Sequence, residues 1–314
     1  MKVIICNKIK ENDKLYFKRA WRIPFQELEN IGWISIDQNE ISTKKISDFF
    51  MEKYNVLPQV LLFWNTNTFI SNNITDILNN KWIKCIYMDD LHQKTKSIQN
   101  YRNLIINNFD YIFCTCAYIF TKFYKIPNPN KLIWYPHNVN NNFTVIFNKT
   151  PINKILLSGC LDKTVYPFRY HMHTMSHKYP IDILPQLSYQ VANHNNYGHN
   201  YIKHINKYIA AFACCSNKNT PYIVSKFFEI PAAGALLVAY DEFVKEPLKE
   251  LGFIDGENYI SVTYQNLEKK ISFITDPTQR DVVDKIRRKG YELVWGKHTL
   301  QNRVQLIENT TNKN

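Results

Sequence analysis

Apolar runs of strand length recur along the first half of the chain, at VIIC (3 to 6), VLLFW (60 to 64), CIYM (85 to 88), YIFCTC (111 to 116) and KLIWY (131 to 135). Between them lie segments with apolar residues spaced three and four apart, such as ISDFFMEKY and IQNYRNLIINNF, which is the period of an amphipathic helix. Continuous apolar strands alternating with helices predict a parallel sheet covered on both faces, because an exposed face would show polar residues at every second position. A polar stretch with a proline, FNKTPINK at 147 to 154, interrupts the pattern, which then restarts at ILLSG (155 to 159), IDIL (181 to 184), IAAFACC (209 to 215), ALLVAY (235 to 240) and YISVTY (259 to 264). Two closing helices are expected over 279 to 294 and 298 to 309 from the spacing of Val282, Val283, Ile286 and Leu293 and of Leu300, Val304 and Ile307. The expected architecture is α/β: two doubly wound Rossmann-like domains, 1–150 and 151–314, facing each other across a cleft. In tandem sheets of this kind ligands bind at the C-terminal ends of the strands.

Composition sets few limits beyond these. A chain of 314 residues with 45% hydrophobic and 21% charged residues is ordinary for a folded protein. No apolar run approaches the roughly 18 residues of a membrane helix, and MKVIICNKIKENDK reads as a first strand rather than a secretory signal, so a cytoplasmic location is expected. Seven cysteines, an odd number without zinc-type spacing, read as reduced core residues. The formal charge of +12 divides into +7 for residues 1–150 and +5 for the remainder, so it forms no single basic domain. The one dense cluster, KIRRKG at 285 to 290, fits a solvated helix face better than a nucleic-acid contact.

Dinucleotide and P-loop chemistry lose support from the same positions. The first strand is followed by no glycine, although only glycine lets backbone approach a pyrophosphate there, and GYELVWGK has the wrong spacing for a P-loop and lies in a helical pattern. More informative is SKFFEIPAAGALLVAY, 225 to 240. Ser225 is placed to cap a short helix, Lys226 and Glu229 fall on one face at i and i+3, and Gly234 ends the helix. A lysine there suits a phosphate and a glutamate one turn on suits a ribose diol; as a merely exposed ion pair the two would contribute only about 0.2–0.5 kcal/mol. Pro231 demands a kink or a very short helix. In the first domain, CIYMDDLHQ puts Asp89, Asp90 and His92 at a strand's C-terminal end, where they suit acid–base or acceptor contacts, a helix cap, or a divalent metal.

SKFFEIPAAGALLVAY, followed by LGFIDGENYI and RKGYELVWGKHTLQNRVQLI, resembles the C-terminal domain of GT-B glycosyltransferases of the group-1 type, especially the spore-maturation-like branch. ILLSGCLDKTVYPFRY, HNNYGHNYIKHINKYIAAF, CIYMDDLHQ, FDYIFCTC and LIWYPHNVNNNF extend the resemblance over about residues 80 to 308. It implies a transferase moving a sugar from a nucleotide-diphosphate donor to an acceptor hydroxyl on a glycan, protein or other molecule, with no cofactor and no metal, and with retention. By resemblance Glu229 holds the donor ribose; Arg169, Lys226 and Lys163 hold the diphosphate; Gly159, His194 and Tyr197 belong to the donor loops; and Asp90 and His92 are the catalytic candidates on the acceptor side. The terminal helices are expected to pack back toward the N-terminal domain. One departure is that NKNTPYIV, before the helix, lacks the acid that completes the family's pair of glutamates. An inverting, fucosyltransferase-like GT-B enzyme, a basic nucleic-acid-binding protein (including a transferase acting on DNA bases) and an inactive scaffold remain open as alternatives.

Overall fold

Strand β1 (Lys2–Cys6) is buried along its length from Val3 onward. The computed structural model describes residues 1–7, 25–41, 44–64, 66–93, 95–184 and 198–312. After β1 come α1 (25–30), β2 (Ile34–Asp37), α2 (Gln38–Ile41), α3 (Ile46–Tyr54), β3 (Val60–Trp64), α4 (Asn67–Asn79), β4 (Ile83–Met88), α5 (Lys96–Asn108), β5 (Tyr111–Cys114) and β6 (Leu132–Trp134). All neighbouring strands pair parallel in the order β2-β1-β3-β4-β5-β6. Four of the five apolar runs, β1, β3, β4 and β5, are therefore central strands, as their lack of alternation predicts, whereas β6 lies at the sheet edge and is half-buried. Strand β2 escapes the sequence pattern because ISID is short, half polar and at the sheet edge.

The second sheet is built from β7 (Ile152–Ser158), α6 (Pro167–Met175), β8 (Ile181–Leu184), α7 (Gly198–Ile205), β9 (Tyr208–Cys214), α8 (Lys226–Ala232), β10 (Leu236–Tyr240), α9 (Lys245–Glu250), β11 (Ile260–Ser261) and α10 (Leu267–Thr275). The order is β11-β10-β9-β7-β8, again parallel throughout. The expected strand over 259 to 264 shrinks to two residues, because only Ile260 and Ser261 meet the edge of β10. Helices α11 (Arg280–Lys297) and α12 (Leu300–Thr311) close the chain, as the three-and-four spacing predicts. Every cysteine is a free thiol, and all but Cys160 are buried.

Backbone contacts divide the chain into two units, one holding the described residues up to Pro136 together with those from Val304 onward, the other holding His137–Arg303. The division falls at Pro136/His137, whereas the sequence pattern places the linker at 147 to 154. Val304 and Ile307 of α12 complete the first unit's core with Ile4, Leu62, Trp64 and Phe113. In the same unit Lys2 Nζ reaches Glu308 at 2.8 Å and Asn312 at 2.7 Å, which ties the last helix to the first strand.

The cluster KIRRKG is not simply a solvated face. Arg287 is 1% exposed, and its guanidinium donates to Gly234 O at 3.0 Å and Asn148 O at 3.1 Å and pairs with Asp284. It lies over the Phe147 ring and so fixes the end of α8 and the 147–148 segment within the second unit.

Within each sheet the strand order reverses once, between β1 and β3 and between β7 and β9. This is the flavodoxin-like winding, in which helices leave the two neighbouring strands toward opposite faces and open a crevice at their C-terminal ends. Pairing between β7 and β9 runs through Leu156 and Ala211, ahead of the strand ends at Ser158 and Cys214.

A buried histidine that the sequence reading passed over ties α11 and α12 to α8. His298 stacks near Phe253 (5.8 Å between ring centroids) and Phe228 (5.2 Å). Arg303 Nη2 lies 3.0 Å from its Nδ1, which must accept because a guanidinium only donates, so Nε2 carries the hydrogen toward Leu251 O at 2.8 Å. The ring is thereby held neutral, and burial lowers its pKa from 6.5 to about 4. The unfolded chain takes up a proton near pH 6.5 that the folded chain refuses, so stability is full above that value and falls as pH drops toward 4. About 3 kcal/mol is expected to be lost across this window from His298 alone. Urea unfolding between pH 7 and pH 4 should show the loss, and His298→Gln should flatten that part of the profile.

Candidate functional site

Strand β7 ends at Ser158, and the next residue, Gly159, takes φ +99°, a conformation that L side chains rarely adopt. A Cβ at Gly159 would collide with Lys226 Nζ and lie 3.0 Å from Arg169 Nη1. The glycine therefore serves two purposes: it turns the chain out of the sheet, and it leaves room for two cationic side chains at the second unit's switch point.

Each cation arrives by a different local route. Helix α6 starts with Pro167, whose missing N–H costs nothing in the first turn. Phe168 anchors that turn in the core, and Arg169 beside it is only 3% exposed. Arg169 Nη1 donates to Cys160 O at 3.1 Å, and the guanidinium lies 3.9 Å from the Tyr166 ring centroid. Its Nε is buried and has no hydrogen-bond partner among the described residues. Lys226 opens α8, after the loop that leaves β9, and its Nζ donates to Ser158 O at 2.7 Å.

Helix α8 departs from expectation in its first turn. Ser225 is itself helical (φ −51°, ψ −32°) and its side chain caps no backbone N–H; its hydroxyl donates to Glu229 Oε2 at 3.2 Å instead. Lys226 likewise reaches across to the β7 backbone rather than forming an exposed pair with Glu229. Pro231 is accommodated because the helix ends almost at once: Gly234 at φ +73° lets its N–H return to Pro231 O and Ala235 N–H to Ile230 O.

The electrostatics follow from this crowding. Burial, then the neighbouring Arg169 guanidinium, pushes the Lys226 pKa down, with Glu229 opposing. Burial raises Glu229, while Lys226 and the Ser225 hydroxyl hold it back. Tyr201, whose hydroxyl lies 2.6 Å from Ser158 Oγ, is pushed up by burial and then by the Glu229 charge. Two cations thus share one glycine corner with carbonyl oxygens as their acceptors. A multivalent anion would relieve their repulsion and use the spare donor on Arg169.

Of the residues singled out in the sequence, Gly159, Arg169, Lys226 and Glu229 come together. Lys163 lies exposed on the turn after Gly159, beside Asp162, whose carboxylate accepts from the Thr164 N–H at 2.7 Å. His194 and Tyr197 lie outside the described residues. Ser158 and Tyr201 were not anticipated, although ILLSG and YGHNYIKHI carry them. In the first unit, Asp90 and His92 are exposed on the turn that follows β4, with Asp90 at φ +47°. Asp89 is committed to that turn: its carboxylate accepts from Asp90 N–H at 2.8 Å, Thr115 Oγ1 at 2.5 Å and Tyr87 OH at 3.3 Å. Among the described residues no group of three His, Cys, Asp or Glu side chains is placed to hold a metal ion. Nor, among them, is any helix long and apolar enough to cross a membrane.

With both sheets wound in this way, the fold is that of the GT-B glycosyltransferases. The model of a glycosyl transferase-like family matches residues 165–309. Among solved structures, Anabaena Alr3699/HepE in complex with UDP and glucose superimposes with a TM-score of 0.60 at 10% identity, over 99% of this chain and 99% of that one. Sucrose-phosphate synthase from Thermosynechococcus elongatus gives a TM-score of 0.60 at 10% identity, over 99% and 98%. An alpha-glucosyltransferase in complex with UDP and a 13-mer DNA gives 0.59 at 12% identity, over 99% of both chains. No curated protein matches the chain by sequence.

A bound anion restores the charge on Lys226, so binding should draw a proton from solution. Because the pKa of Lys226 is lowered in the free site, affinity is greatest on the acid side of that lowered value. It should fall about tenfold per pH unit as pH rises through it toward the ordinary ammonium value. Calorimetric titration of UDP in buffers of different ionisation enthalpy should report proton uptake at alkaline pH, and Lys226→Met should abolish it.

Proposed function

We propose that the chain transfers a sugar from a nucleotide-diphosphate donor to an acceptor hydroxyl, without a metal and with retention of configuration. The observation that carries this reading is the pair of cations, Arg169 and Lys226, gathered around Gly159 at the switch point of the second unit. Fixed positive charge at that corner neutralises the negative charge that grows on the leaving nucleoside diphosphate as the glycosidic bond breaks, which is the task a metal performs in other transferases. Glu229 binds the ribose diol, with its orientation set by Ser225. Lys163, His194 and Tyr197 complete the donor loops, and Asp90 and His92 contact the acceptor or the sugar's developing positive charge. The spore-maturation-like branch, a cytoplasmic location and a nucleotide sugar as the binding partner belong to the same reading. UDP is the first nucleotide to test, since it occupies the HepE protein and the alpha-glucosyltransferase of like fold.

A second reading differs only in the acceptor. The formal charge of +12 suits a polyanion, and the alpha-glucosyltransferase crystallised with DNA has the same fold. Transfer to a base in DNA would then show duplex binding that weakens steeply with salt.

Thermal unfolding against a panel of nucleoside diphosphates and nucleotide sugars tests the first reading. One nucleotide family at 100 times its dissociation constant should add about 2.7 kcal/mol of stability. The gain should be indifferent to EDTA and reduced in Glu229→Ala. Absence of stabilisation by every nucleotide would refute donor binding, and a gain abolished by EDTA would refute the metal-free mechanism.

A further inference from the structure

Arg102 occupies a position on α5 where the apolar stripe calls for a hydrophobic residue, in series with Ile105 and Ile106, and it is 7% exposed. A buried guanidinium normally faces a carboxylate, because an isolated charge is costly to remove from water. Arg102 faces a turn of backbone instead. Its Nη2 donates to Asp89 O at 2.9 Å and to Asp90 O at 3.1 Å, and its Nη1 donates to Asp90 O at 3.1 Å and to Tyr124 OH at 3.0 Å. Tyr124 in turn donates to Leu91 O at 3.4 Å. One planar fork and one phenol thus collect three successive carbonyls, those of residues 89, 90 and 91.

From the other side the same turn is gripped through Asp89. Its carboxylate accepts the Asp90 N–H and the hydroxyls of Thr115, just past the end of β5, and Tyr87, on β4. Between the two grips sits Asp90 in the left-handed region, at φ +47°. Aspartate tolerates that region better than most residues but does not favour it, and a strained residue held by its surroundings at the end of a central strand marks a place where geometry matters. The consequence is an exposed Asp90 and His92 on a turn whose backbone is fixed from beneath.

We infer that Arg102 is a positioning residue, which with Tyr124 holds the 89–92 turn in the one conformation that presents Asp90 and His92 for reaction. The catalytic consequence rests on the transferase reading, whereas the clamp itself does not. The bidentate fork matters as much as the charge, so lysine is a poor replacement.

Three variants test it: Arg102→Met, Arg102→Lys and Tyr124→Phe, alone and the first combined with Asp90→Asn. Amide exchange of residues 90–93 should rise at least tenfold in Arg102→Met while that of β3 and β5 stays unchanged, with Arg102→Lys and Tyr124→Phe between. Turnover of the nucleotide sugar should fall tenfold or more in Arg102→Met with UDP affinity within twofold of wild type. Asp90→Asn should cost far less in the Arg102→Met background than alone, because the carboxylate is already misplaced. Unchanged exchange at 90–93 would overturn the clamp. So would an Asp90→Asn penalty equal in both backgrounds, since Arg102 would then act independently of Asp90. A wild type that turns over no nucleotide sugar would count against the transferase reading, and the exchange measurement would still decide the clamp.

Discussion

Two like charges held beside one glycine are the constraint on which the second unit's site depends. Arg169 and Lys226 come from helices that follow different strands, and they converge only because β7 and β9 are neighbours whose outgoing helices leave on opposite sides. Gly159 supplies the space, and the Ser158 and Cys160 carbonyls supply the acceptors. Such an arrangement is costly when empty, since burial and mutual repulsion both disfavour the charged lysine. An anion bound beside the two cations would offset that cost.

The first unit shows a different use of a buried cation. Arg102 is satisfied by two carbonyls of one turn and a phenol, so its charge organises backbone. The two units share a winding. One gathers two cations at a glycine corner; the other uses a cation to hold a shape.

Much of the fold was legible because continuous apolar runs mark strands of a parallel sheet, and nine of the ten appear as expected, with β11 cut short by its edge position and β2 hidden by its polar edge character. The cations of the Gly159 corner were legible as residue types near a glycine and a helix start. Their convergence was not, because it depends on strand order, which periodicity does not encode. Ser225 illustrates the limit: its residue type and place suggest a cap, yet it serves Glu229, since Ser225 itself takes helical dihedrals. Arg102 did leave a signal, a charged residue inside the apolar stripe of α5, but its partners are carbonyls, which no sequence pattern displays. His298 and Arg287 escaped for the same reason, as their partners lie far along the chain.

The most direct test of the central claim is the affinity ladder of uridine, UMP and UDP for the wild type and Arg169→Lys, measured by calorimetry at one ionic strength. If the Arg169 and Lys226 corner is built for a diphosphate, UDP should bind at least 100-fold tighter than uridine, about 2.7 kcal/mol, with UMP between. Loss of the planar fork in Arg169→Lys should then shrink the step from UMP to UDP while leaving uridine unchanged. Equal affinities along the ladder, or a ladder indifferent to Arg169, would contradict the account.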